Sequence, residues 1–202
     1  MAVTATGTSD THRRRRRTPE AARQEILTAA SDLLTRIPIA ELTVATLMAH
    51  TTLSRKSFYV YFNDRVELLE ALVRPLRAEA DATLEQWAAA EDPVGAGLVA
   101  LAAAARTYHR HGEVLRAILY SSSTDPELRR LRAGLVDPVI AVATGIVERT
   151  APDLPDPGRT AMALITMNIH VLLNLDAAAT EFELTAAVET LAMIWRRTLM
   201  VA

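Results

Sequence analysis

Apolar residues recur at intervals of three and four along most of the chain, which is the spacing of one face of an α-helix. In the first such stretch Thr18 can cap a helix and Pro19 suits its first position. The apolar face that follows consists of Ile26, Ala30, Leu33, Leu34 and Ile37, and Pro38 ends it. No segment shows the alternation of a strand, so the sequence predicts an all-α fold of about nine helices.

Between residues 43 and 62 the pattern shortens to two small helices and a turn. Thr43 can cap the first helix, which carries Leu47 and Met48. Ser54 can cap the second helix, which carries Phe58. The side chains that we expect to face inward are Leu47, Leu53, Phe58 and Phe62.

The second small helix also carries side chains that the apolar core does not require. In chain order they are Arg55, Lys56, Ser57, Tyr59 and Tyr61. Cations, a hydroxyl and phenols on the outer face of a short helix are suited to phosphates and base edges in a major groove. The sequence therefore predicts a helix-turn-helix that binds double-stranded DNA.

This stretch resembles the DNA-binding motif of the TetR family of prokaryotic repressors. The similarity rests on an ordered series of residues: Thr43, Leu47, Met48, Ser54, Ser57, Phe58, Tyr59, Tyr61, Phe62, Arg65, Glu67, Leu68 and Leu69. It implies a ligand-responsive repressor that binds a pseudo-palindromic DNA operator as a homodimer. The DNA contacts that we expect are Thr43, Ser54, Arg55, Lys56, Ser57, Tyr59, Tyr61 and Arg65.

Within that set, Thr43 and Arg65 are expected at flanking phosphates, which position the protein. The residues expected to contact base edges are Arg55, Lys56 and Ser57. The implied organisation is a disordered basic arm at 1–17, a helix-turn-helix DNA-binding domain at 18–64 and a larger helical ligand-binding and dimerisation domain at 65–202.

The chain departs from the family pattern at the turn, where Thr52 stands in place of the usual glycine. A β-branched residue disfavours positive φ. Either the turn is distorted, or it does not need positive φ. Two further departures are Met48, at a position that is usually small, and Arg65, where lysine is more common.

The net charge of −2 conceals an uneven distribution of charge. Residues 1–77 contain 12 basic and 8 acidic side chains, whereas the rest of the chain is acidic overall. Five consecutive arginines, Arg13 to Arg17, end the N-terminal arm. The arm is either a solvated tail or a segment that follows the phosphate backbone or enters the minor groove.

Several helices follow the small motif. Asp64 and Glu67 resemble a capping box that opens a long fourth helix, in which Pro75 should cause a kink. Residues 98–105 are apolar and rich in alanine, so the side chains there leave space beside the helix. The family resemblance implies that the two last helices, near 159–178 and 184–201, form the dimer. Leu184 and Leu191 belong to an apolar stripe of the last helix.

Other classes of function find little support in the sequence. The chain has no cysteine, which excludes disulfides and thiolate metal sites, and its longest apolar run is too short to span a membrane. His109 and His111 would lie on different helix faces and do not form a metal pair. We expect the protein to be cytoplasmic. We also expect that it has no cofactor and is not an enzyme. The alternatives are an all-α protein-interaction module without sequence-specific DNA binding, and a relic of a small-molecule-binding enzyme.

The penultimate helix contains Asn168 within an apolar run. A buried amide needs a partner, so Asn168 is a satisfied core group, a dimer contact or a polar anchor in a ligand cavity. The spacing to the final helix resembles the ethionamide-type branch of TetR repressors, which implies that Asn168 and Trp195 line a tunnel for a small apolar effector. Further candidates for that site are Trp87, Tyr108, Tyr120 and Met162.

Overall fold

The computed structural model describes residues 18–121, 125–176 and 178–199. These residues form eight α-helices and no strand, which confirms the predicted all-α fold. The helices are α1 Pro19–Leu34, α2 Val44–Met48, α3 Arg55–Tyr61, α4 Arg65–Ala89, α5 Pro93–Leu119, α6 Pro126–Thr150, α7 Pro157–Leu173 and α8 Glu181–Leu199, with a 3₁₀ turn at Ile39–Glu41. The predicted arm at 1–17 lies outside the described residues.

Side-chain caps begin the N-terminal helices as the sequence predicts. The hydroxyl of Thr18 accepts a hydrogen bond from the backbone of α1, that of Thr43 from α2 and that of Ser54 from α3. The Asp64 carboxylate accepts one at 2.8 Å from the N–H of Glu67 at the start of α4. Each cap satisfies a backbone donor that the helix itself leaves unpaired.

One helix boundary differs from the prediction. α1 ends at Leu34, so Ile37 lies outside the helix that was expected to reach Pro38. α5 contains a break, with non-helical dihedral angles at His111 (φ −124°, ψ 17°). α4 runs through Pro75 as one helix, and Pro75 lies on its exposed side.

The apolar core of the N-terminal helices continues into the rest of the molecule. Phe58 and Phe62 are 0% and 2% exposed and pack with residues of α1, α2 and α4. The same cluster includes Ile118 from the end of α5 and Leu128 from the start of α6. We call α1 to α3 the head and α4 to α8 the body. The head is therefore fixed to the ends of two body helices, α5 and α6, by shared burial of apolar surface.

Candidate nucleic-acid interface and apolar cavity

One side of α3 faces outward. Arg55 and Lys56 are exposed in its first turn. Tyr59 and Val60 are 54% and 72% exposed one turn later, whereas Phe58 between them is buried. The result is an outward surface with two cations, a phenol and an aliphatic side chain, which has the chemistry for phosphates and base edges. Val60 was not among the residues predicted from the sequence to contact DNA.

The hydroxyl groups at the helix starts are partly used within the protein. The Ser54 hydroxyl accepts from the N–H of Ser57, and the two hydroxyl oxygens lie 2.9 Å apart. Thr43 and Thr46 repeat this arrangement at the start of α2, also at 2.9 Å. Because a hydroxyl has one donor and two acceptor positions, these side chains keep capacity for a further partner.

The expectation that Tyr61 has no packing role is wrong. Its ring is half-buried and packs against the core cluster that contains Phe58. Arg65 likewise has partners within the chain: its guanidinium donates to the Asp125 carboxylate at 3.0 Å and to the Ile39 carbonyl at 3.3 Å. A phosphate contact by Arg65 stays a prediction, and the phosphate would have to share the guanidinium with Asp125 and Ile39.

The turn between α2 and α3 does not need positive φ. No described residue has a positive φ, so Thr52 replaces the usual glycine without strain of that kind. The carboxylate of Glu25 in α1 accepts from the N–H of Thr52 at 2.6 Å and from its hydroxyl at 2.7 Å. Thr52 thus joins the turn to α1 by two hydrogen bonds, one of which a glycine could not make.

A cavity with a volume of about 160 Å³ lies between α4, α5, α6, α7 and α8. Trp87 and Trp195 form part of its wall, with ring centroids 5.8 Å apart and an edge-to-face angle of 75°. The alanine-rich part of α5 contributes Ala100, Ala103 and Ala104 to the wall, in agreement with the predicted space beside that helix.

Asn168 is the buried polar residue of the described core, at 9% exposure. Its Oδ1 accepts a hydrogen bond from Trp195 Nε1 at 3.2 Å, and this donor fixes the orientation of the amide. No described residue accepts a hydrogen bond from Asn168 Nδ2, although Asn168 lines the cavity. The amide therefore has a donor available for a molecule in the cavity.

Tyr108 also lines the cavity. Burial raises the pKa of its phenol to about 12, and the nearby Tyr120 contributes in the same direction. The phenol is thus a neutral group at physiological pH, able to donate or accept one hydrogen bond in an apolar environment.

Two of the predicted cavity residues do not line it, and their assignment is wrong. Met162 is 50% exposed on the outer side of α7. Tyr120 is 43% exposed, and its hydroxyl lies 3.2 Å from both His170 Nδ1 and Asn174 Nδ2. Arg77 and Gly134 do line the cavity, although the sequence analysis did not identify them.

The outer faces of α7 and α8 expose large apolar side chains. Phe182 and Met193 of α8 are 82% and 43% exposed and lie eleven positions apart, about three helical turns. Leu184 and Leu191 of the predicted stripe are buried against Leu101 of the same chain. The side of α8 available to a second subunit is therefore the one with Phe182 and Met193.

Among the described residues, no helix is both long and apolar enough to cross a membrane. In the same part of the chain, no cluster of three or more histidine, cysteine, aspartate or glutamate side chains is arranged to hold a metal ion.

The family model for the C-terminal domain of the transcriptional regulator EthR matches residues 98–200. No curated protein sequence matches the chain. Among solved structures, NalD of Pseudomonas aeruginosa, the secondary repressor of the MexAB-OprM multidrug efflux pump, is similar with a TM-score of 0.71 and 18% identity over 90% of this chain and 98% of its own.

Two other solved structures share the fold. PfmR of Thermus thermophilus, a TetR family transcriptional regulator, has a TM-score of 0.69 and 20% identity over 85% of this chain and 97% of its own. The fatty acid degradation regulator FadR of Bacillus halodurans has a TM-score of 0.69 and 14% identity over 89% of this chain and 95% of its own. At these identities the similarity concerns the fold.

Proposed function

The chain belongs to the TetR family of transcriptional regulators, with a C-terminal domain of the EthR type, and from this premise we propose that it is a ligand-responsive repressor. It binds a pseudo-palindromic DNA operator as a homodimer and leaves the operator when a small apolar molecule occupies the cavity. The observation that carries the proposal is the outward surface of α3, where Arg55, Lys56, Tyr59 and Val60 are exposed.

We assign α3 to the major groove. Arg55 and Lys56 contact base edges, Ser57 contributes its hydroxyl, and Tyr59 contacts a phosphate. Thr43 and Ser54 cap α2 and α3, and we assign their hydroxyls to contacts with DNA beside α3. We also assign phosphate contacts to Arg65 and Tyr61, and backbone or minor-groove contacts to the arginines of the 1–17 arm.

The dimer interface proposed here consists of the exposed apolar sides of α7 and α8. Phe182, Met193 and Met162 supply apolar surface that a second copy of the chain can bury. In the proposed dimer a two-fold axis through this surface relates the two α3 helices, and each occupies a half-site of the operator.

The cavity is the proposed effector site. Its wall is mainly apolar, with Asn168 Nδ2 and the Tyr108 hydroxyl as oriented polar groups, and this is the usual character of a small-molecule site. A ligand can release DNA only if it binds better to a conformation in which the two heads no longer match the operator. α4 begins at the head and lines the cavity, so it is the proposed mechanical connection.

Sequencing the genomic DNA fragments that the protein selects tests the proposal directly. We expect enrichment of an inverted repeat whose half-sites are separated by about one helical turn of DNA or a multiple of it. Retention of random duplexes without an enriched repeat would contradict operator binding. Failure to retain any duplex, together with capture of a protein partner, would support the interaction module instead.

A further inference from the structure

Arg77 is a cation on an otherwise apolar stripe of α4. Val73, Ala80, Leu84 and Trp87 lie at helical spacing on either side of it. Arg77 lines the cavity, and its Nε is buried without a hydrogen-bond partner among the described residues. None of the ion pairs in the described part of the chain includes Arg77. Because arginine stays charged at physiological pH, an unpaired cation faces the cavity.

Gly134 of α6 provides the space for this cation. A Cβ atom at Gly134 would lie 2.9 Å from a terminal nitrogen of Arg77 and 3.5 Å from its Cζ. With glycine, the guanidinium can lie directly against the backbone of α6. An alanine there would displace the end of a flexible side chain rather than the backbone, so the fold should tolerate it.

The cavity has a charged end and an apolar end. Along α4 its wall runs from Arg77 to Trp87, a distance of about 15 Å at the rise of an α-helix. Leu84 and Val139 line the space between, and Trp195 packs on Trp87 at the far end.

Two acidic side chains of the cavity wall, Glu79 and Asp81, are paired elsewhere or exposed to solvent. Glu79 is bound by Arg110 at 3.2 Å, and Asp81 is exposed to solvent. Neither forms an ion pair with Arg77 among the described residues, so the guanidinium keeps its planar set of donors available for an anion from outside the chain.

We propose that the cavity binds an apolar molecule with a terminal carboxylate, which resembles a fatty acid. The carboxylate binds the Arg77 guanidinium beside Gly134, and the hydrocarbon chain extends toward Trp87 and Trp195. The fork of N–H donors on arginine matches the two oxygens of a carboxylate, and the charge-assisted bonds compensate the burial of Arg77. This inference rests on the proposed function, because it names the chemical class of the effector.

Isothermal titration of the full chain with sodium dodecanoate, methyl dodecanoate and dodecanol tests the inference. The wild-type protein should bind dodecanoate roughly tenfold tighter than the ester or the alcohol, because a hydrogen bond to a charged group contributes at least that factor. Arg77→Met should abolish the preference and leave ester affinity within about twofold. Gly134→Ala should reduce the preference while retaining the charge. Arg106→Met, which removes an exposed cation of α5, serves as the control.

Equal affinity of the wild-type protein for acid and ester would overturn the inference. So would a preference that survives in Arg77→Met or, should that variant fail to fold, an undiminished preference in Gly134→Ala. If the ester and alcohol bind equally well and release the operator, the carboxylate assignment fails while the repressor proposal stands. If dodecanoate is preferred through Arg77 but leaves operator affinity unchanged, the carboxylate site stands and effector control fails. Gly134→Ala keeps the test decisive should Arg77→Met fail to fold.

Discussion

Neighbouring side chains of α3 lie in opposite environments. Phe58 is fully buried, whereas Val60 is 72% exposed although it is aliphatic. An exposed aliphatic group beside Lys56 and Tyr59 on a DNA-binding surface suits contact with a thymine methyl group. In the proposed interface this surface therefore combines polar and charged groups with an apolar contact for base discrimination.

The two tyrosines of α3 should respond differently to truncation. Tyr59→Ala should weaken operator binding and cost less stability than Tyr61→Ala, because Tyr59 is 54% exposed and contacts the core through an edge-to-face pair with Phe58. Tyr61→Ala should lower the free energy of unfolding by about 1–2 kcal/mol, because the ring packs on the core. Urea denaturation and fluorescence anisotropy with labelled operator measure the two effects. Equal stability of the two variants would contradict the packing of Tyr61.

Tyr108 should make stability depend on pH in the alkaline range. Its pKa is about 12 in the folded protein and 10.0 for an ordinary tyrosine, so between these values the unfolded chain binds fewer protons than the folded one. The stabilisation is complete below pH 10 and is lost as pH rises through about 12. Phenolate formation can be followed by ultraviolet absorbance as pH is raised. The most alkaline step of this titration should be absent in Tyr108→Phe. A step that persists in this variant would refute the assignment.

At the residue scale, some features of the site are encoded in the sequence and others depend on contacts between helices. Tyr61 lies three positions after Phe58, so on a helix it borders the buried face. Arg77 likewise falls on the apolar stripe of α4, and only the structure shows that the facing residue is Gly134. Met162 and Tyr120 were misassigned because their helical stripes have an exposed side that the sequence does not distinguish from the cavity side.

At the scale of elements, the turn before α3 depends on a contact distant in sequence. Glu25 of α1 holds Thr52 by hydrogen bonds from both its N–H and its hydroxyl. Glu25 is a partly buried acidic residue of an amphipathic helix, and nothing in the neighbouring sequence indicates that Thr52 is its partner. The helix caps, by contrast, involve residues three positions apart and were predictable from the sequence.

Glu25→Ala should loosen this turn. We expect the free energy of unfolding to fall by about 1–2 kcal/mol, because two hydrogen bonds to the Glu25 carboxylate are removed. The loss is modest because water can replace part of these bonds at Thr52. Asp32→Ala removes an acidic side chain from the same helix and should have little effect. Chemical denaturation compares them, and similar midpoints for the two variants would show that the turn does not depend on Glu25.

The two sides of α8 should tolerate charge differently. Met193→Asp should convert the homodimer to a folded monomer, because Met193 is exposed on the proposed interface. Leu191→Arg should instead unfold the chain, because Leu191 is 1% exposed and packs within its own subunit. Val99→Asp, at an exposed aliphatic residue of α5, is the control. Light scattering that finds Met193→Asp still dimeric would move the interface elsewhere.

At the scale of the whole molecule, α4 and α6 meet at two levels. Near the head, Arg65 binds Asp125, which also caps α6. About 18 Å further along α4, Arg77 lies against Gly134 in the cavity wall. A ligand that changes the approach of the two helices at the cavity therefore acts on the same pair of helices that holds the head. The shared core of Phe58, Ile118 and Leu128 extends this connection.

The central claim is that the outward surface of α3 recognises a specific operator. Fluorescence anisotropy with the selected operator and a scrambled duplex, at one salt concentration, measures it for the wild-type protein, Lys56→Ala and Arg106→Ala. The wild type should prefer the operator by about 10³-fold or more. Lys56→Ala should lose about 1–3 kcal/mol on the operator and part of the preference, while Arg106→Ala behaves as wild type. Equal affinity of the wild type for both duplexes, or an unchanged preference in Lys56→Ala, would contradict the account.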